Sequence, residues 1–99
     1  MKIPKKVNIA GYTYKVLIVD ELKADDTPQD KYMLGQCDPV NFEIKILKGQ
    51  SKIQEVSTYI HEVIEAINEH YAIDMRHRQI VAFENGMYQF LVGSGVIKI

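Results

Sequence analysis

Only one cysteine, Cys37, occurs in the 99 residues, so no internal disulfide framework can hold the chain together. A reducing, cytoplasmic compartment is the corresponding expectation. Cys37 itself reads as a small half-buried hydrophobe. No apolar run approaches the roughly 20 residues needed to cross a bilayer. The basic start MKIPKKVNIAGYTYKV lacks an apolar h-region, because Asn8, Gly11, Thr13 and Lys15 interrupt it; no secretory signal is expected. Charge of one sign is missing too. The formal net charge is −1, which offers no basic face for nucleic-acid phosphates. Arg76, His77 and Arg78 are basic, but no basic stripe continues beyond them.

What remains is the balance of a soluble globular chain, 46% apolar and 25% charged. Its length suits one small domain, residues 1–99, with a single modest core. There are no internal repeats and no low-complexity tracts.

The first half reads as β structure. Val7 and Ile9, the turn Ala10–Gly11, then Tyr12, Tyr14, Val16 and Ile18 give the period-2 pattern of a hairpin with one buried face. Residues 20–31 (DELKADDTPQDK) are acidic, contain Pro28 and read as a loop. A strand over 32–37, a turn over 38–41, and alternation of Phe42, Ile44 and Ile46 with Glu43, Lys45 and Lys48 follow. Short strands joined by short turns predict an antiparallel sheet.

The second half is helical. Ser51 with Gln54 three residues later is a capping-box signature. Ile53, Val56, Ile60, Val63, Ile64, Ile67 and Tyr71 then recur at three- and four-residue steps. Asp74 is the expected N-cap of a second helix carrying Ile80, Phe83, Met87, Phe90 and Leu91, stopped by Gly93–Ser94–Gly95. The tail VIKI either adds a short strand or trails. The expected fold is α+β: a small antiparallel sheet followed by a two-helix hairpin that covers one face of it.

Within the first helix stands HEVIE, residues 61–65. His61 and Glu65, four apart, project together along the border of the apolar arc. Glu62 is placed further round, on the polar side with Glu69. Taken alone, this helix is a solvated face with an i,i+4 His/Glu pair. Glu84 on the second helix lies among Ile80, Leu91 and Tyr88, where a carboxylate is costly unless a cation or several donors meet it. An antiparallel hairpin turning near residue 73 brings Glu84 level with His61 and Glu65, with His77 about 6 Å along the axis. Two plain alternatives stand beside this one: Glu84 pairs with Arg76 or Arg78, and His77 shapes the turn.

A histidine and a residue four later present two ligands on one helix face, as in the zinc motif H-E-x-x-H. Glu62 occupies the position of the general base that takes a proton from metal-bound water. A carboxylate at 65 makes the donor set harder, so manganese or iron should be tolerated beside zinc. Water activation weakens accordingly. Tyr59, Tyr71 and Tyr88 read as core or rim packing.

The order of elements, with FEIKI, STYIHEVIEAI and AFENGMYQFL, resembles the small phage and prophage proteins of the zincin-like, ImmA/IrrE-like metallopeptidase group over roughly residues 11–92. His61 and Glu62 match the first two motif positions, and Glu84 matches a downstream glutamate ligand. Glu65 departs from the usual second histidine. The chain is also similar to short phage proteins with H-E-x-x-E-A-I-N and a later histidine at the place of His77. The resemblance implies a mini-zincin fold, a divalent metal held by His61, Glu65 and Glu84 with His77 nearby, and a cleft rim formed by residues 42–47. It further implies a peptide bond in a protein regulator as substrate, cut with Glu62 as base. The alternative is a non-catalytic interaction module of the same fold, binding a protein through its sheet edge or the 20–31 loop.

Overall fold

The computed structural model describes residues 2–22 and 34–98. Four strands and two helices follow one another as β1 (Lys6–Ile9), β2 (Tyr12–Val19), β3 (Gly35–Asp38), β4 (Glu43–Leu47), α1 (Lys52–His70) and α2 (His77–Gly93). The chain is α+β, strands first and helices after. Most of the 20–31 stretch, and residues 32 and 33 of the expected third strand, lie outside the described residues.

β1 and β2 form the expected hairpin, Ile9 opposite Tyr12. Ala10 and Gly11 both take positive φ, 52° and 84°, the backbone a two-residue hairpin turn demands. The sheet is mixed rather than wholly antiparallel. Its order is β1-β2-β4-β3, and β4 lies parallel to β2, Val16 beside Ile44 and Ile18 beside Ile46. A parallel pair needs a connection of a dozen residues or more. Residues 20–42 supply the length: β3 stands at the far edge, and β4 lies between it and β2. Periodicity showed where the strands were but not that this long connection would reverse one pairing. The β3–β4 turn is tied by Asp38, whose Oδ1 accepts from the backbone N–H groups of Val40 and Asn41, each at 3.1 Å.

α1 begins where its cap was expected: the Ser51 hydroxyl accepts from the Gln54 backbone at 3.2 Å. It lies between the sheet on one side and α2 on the other. Tyr59 and Ala66, with Val63 and Ile67, pack with Ile9, Tyr14, Val16, Ile44 and Ile46 of the sheet. Val56, Ile60 and Ile64 pack with Ile80 of α2, flanked by Met87, Tyr88 and Leu91. There are thus two apolar clusters instead of one. α2 rests on α1, and among the described residues it makes no packing contact with a strand; only α1 covers the sheet.

The last turn of α1 is fastened to the sheet by Tyr14, whose hydroxyl bonds His70 Nε2. Tyr12 stacks on Phe42 and on His70, with ring centroids at 4.6 and 4.9 Å. Asn68 closes the link between the helices, donating to the Met75 carbonyl at 3.3 Å and accepting from its N–H at 2.9 Å. The cap of α2 falls two residues later than expected. Asp74 takes φ +65° inside the turn, and Arg76 is the N-cap, its N–H donating to Gln79 Oε1 at 2.7 Å. The tail forms no strand among the described residues. It doubles back instead, Ile97 N–H to the Leu91 carbonyl at 3.0 Å, with Ile97 against the second cluster.

Candidate metal centre

Ser57, His61 and Glu65 fall at successive four-residue steps of α1 and therefore share one face. Across from them α2 runs antiparallel, as the Asn68–Met75, His61–His77 and Ser57–Glu84 neighbours require. Glu84 turns inward. Its Oε1 lies 2.7 Å from His61 Nδ1, and its Oε2 accepts from the Ser57 hydroxyl at 2.6 Å. Both oxygens of a carboxylate whose side chain is only 13% exposed are thereby occupied. The alternative pairing of Glu84 with Arg76 or Arg78 is not what the helices build.

The other ring nitrogen, His61 Nε2, lies 3.5 Å from Glu65 Oε1. His77, exposed in the first turn of α2, places its ring centroid 5.6 Å from that of His61. One ligand atom from each of His61, Glu65 and His77 falls within 4.8 Å of the other two. Zinc–ligand bonds of 2.0–2.1 Å put neighbouring donors of a tetrahedron about 3.3 Å apart. The His61–Glu65 separation already has that scale, and an atom of the exposed His77 ring lies within 4.8 Å of both. The donor set fits a divalent cation.

All four residues expected at the site come together, and the geometry separates the two that the sequence left as alternatives for the third ligand. Glu84 meets His61 as the hairpin register required, but at Nδ1, outside the three-ligand group. His77, expected as a neighbour, stands inside it. Four-residue steps and equal rise along both helices fixed the level of each residue, whereas the choice of ring nitrogen depends on the side-chain rotamer. Ser57 was missed. Its signal was present, four residues before His61 on the same face.

Glu62 departs most from expectation. Placed on the polar side of α1 by its spacing, it is only 6% exposed. β3 crosses this part of the helix, and Gly35 makes room. A Cβ on Gly35 would lie 2.5 Å from Thr58 Cγ2 and 2.9 Å from Glu62 Oε2. One helix wheel cannot register a strand that packs against a second face.

Three carboxylates surround His61, and its pKa rises to about 9. Glu65 is the main cause; Glu62 and Glu84 add to it, and burial opposes them. At neutral pH this favours the imidazolium form of the metal-free ring, Nδ1 facing Glu84 and Nε2 facing Glu65. A proton thus occupies the place a divalent cation would take. The arrangement is not that of a nucleophilic triad, because Ser57 bonds the carboxylate and not the imidazole. Cys37 is half-buried near two of these carboxylates: desolvation first, then Glu62 and Glu65, push its thiol up to about 12. No helix is long and apolar enough to cross a membrane among the described residues. Comparison with protein-family models, with curated proteins and with solved structures gives no match for this chain.

Proposed function

We propose that this chain is a zincin-like, divalent-metal-binding domain in which His61, Glu65 and His77 hold the ion. The observation that carries this reading is the meeting of three ligand atoms from two helices within 4.8 Å, beside a histidine whose second nitrogen is already engaged. Two imidazoles and one carboxylate form a borderline donor set. Zinc suits it, and manganese or iron(II) is accommodated by the carboxylate. Raised melting temperature on adding zinc or manganese to metal-free protein supports the reading. An unchanged melting temperature with both ions removes it.

Peptide hydrolysis is the narrower form of the proposal, with a protein regulator of phage or host as substrate. A divalent ion lowers the pKa of bound water to about 7, and Glu62, next to His61 in sequence, would take the proton. The burial of Glu62 beneath Gly35 favours a second reading: a non-catalytic protein-interaction module with a structural metal. Glu62→Gln separates the two. Loss of cleavage with metal retained supports the hydrolase, and unchanged function supports the module.

A further inference from the structure

We infer that Glu84, steadied by Ser57, is a positioning residue that aims His61 Nε2 at the cation, and is not itself a ligand. The inference rests on the metal-binding reading above and assigns α2 a part in it. Glu84 spends one oxygen on His61 Nδ1 at 2.7 Å and the other on the Ser57 hydroxyl at 2.6 Å. The ring is thereby fixed across the helix interface, and the nitrogen left over is the one 3.5 Å from Glu65. A carboxylate on the far nitrogen of a ligating histidine sets its tautomer and raises its basicity. His77 and Glu84, seven residues apart on α2, lie two turns from each other on one side of that helix. A single helix face thus delivers a ligand at one level and the support for another ligand at the next.

The arrangement gives Ser57 a purpose that packing does not. Without its hydroxyl, Glu84 would keep its contact to His61 Nδ1 but lose the second bond that steadies it. With it, both carboxylate oxygens are held. The structure therefore separates the roles of the two helical glutamates: Glu65 faces the cation and Glu84 stands behind the histidine.

The test is a zinc titration of the full chain, wild type beside Glu84→Gln, Glu84→Ala and Ser57→Ala. Imidazole nitrogen NMR and the absorption of the cobalt-substituted protein accompany it. Gln keeps an acceptor for the Nδ1 proton, so the order expected is wild type, then Glu84→Gln, then Glu84→Ala. Affinity should fall about 10- to 100-fold across the series, with one ion bound throughout and an unchanged cobalt spectrum. The His61 Nδ1 proton should stay protected from exchange in Glu84→Gln and lose protection in Glu84→Ala. Ser57→Ala, the mildest change, should weaken binding by less. Equal loss in Glu84→Gln and Glu84→Ala, with an altered cobalt spectrum, would make Glu84 a ligand and overturn the inference alone. Unchanged affinity and ring signals in Glu84→Ala would do the same. A wild type that takes no zinc overturns the metal-binding reading, and this inference with it.

Discussion

Glu84 on α2 holds His61 on α1 through a 2.7 Å contact to Nδ1, an ion pair that joins the two helices. Around it the interface is apolar, built from Val56, Ile60, Ile64 and Ile80. A hydrogen bond to a charged group in such surroundings contributes about 1.5–3 kcal/mol. Glu84→Ala should therefore destabilise the metal-free protein by roughly 2 kcal/mol, and Ser57→Ala by about 1 kcal/mol. Urea unfolding measures both. If the two effects add when combined, Ser57 and Glu84 do not act as one unit; coupling of about 0.5 kcal/mol or more is expected for residues in direct contact.

The pH dependence follows from the same imidazole. Its folded pKa of about 9 lies above the ordinary value of 6.5. A raised pKa stabilises the fold fully below pH 6.5, and the contribution is lost as pH rises through 9. In the presence of a chelator, denaturant midpoints should thus decline between pH 6.5 and 9, and His61→Gln should flatten that decline. Zinc affinity should move the opposite way, since the ion displaces a proton.

Much of this was legible in advance, and unevenly so. The alternation of Tyr14, Val16, Ile44 and Ile46 marks the buried face of the sheet, all four being buried. Ser51 marks the start of α1. Glu84 stands out because a carboxylate among Ile80, Tyr88 and Leu91 needs a partner, and it has two. Relations between distant segments were hidden. The parallel pairing of β2 and β4 depends on where residues 20–42 carry the chain, and the burial of Glu62 depends on which part of α1 lies beneath β3. Local periodicity carries neither. Asp74 shows a related limit: it is a good cap by type, but the Asn68–Met75 closure carries the turn past it.

The close approach of β3 to α1 predicts a severe response at Gly35. A methyl group there meets Thr58 Cγ2 at 2.5 Å and Glu62 Oε2 at 2.9 Å. Gly35→Ala should cost about 1–3 kcal/mol, the usual penalty for overpacking. Thr58→Ser removes the nearer obstacle while keeping the hydroxyl that donates to Gln50 Oε1 at 2.8 Å. The double variant should recover part of the loss, read again as a shift in urea midpoint. No recovery would mean that Thr58 is not what the methyl group meets.

Cys37 should be a slow thiol. With its pKa near 12, the thiolate that reacts is scarce at pH 8. Alkylation in the folded state should run roughly a hundredfold or more slower than for an unfolded thiol. Glu62→Gln removes the largest of the neighbouring charges and should speed it.

The central claim is a cation between α1 and the start of α2, and metal content tests it most directly. Protein purified without a histidine tag, beside His77→Ala and Glu65→Gln, would be assayed by inductively coupled plasma spectrometry after equilibration with zinc. The account predicts one ion per wild-type chain and a substoichiometric amount in each variant. Wild-type protein holding no zinc, or both variants holding as much as the wild type, would contradict it.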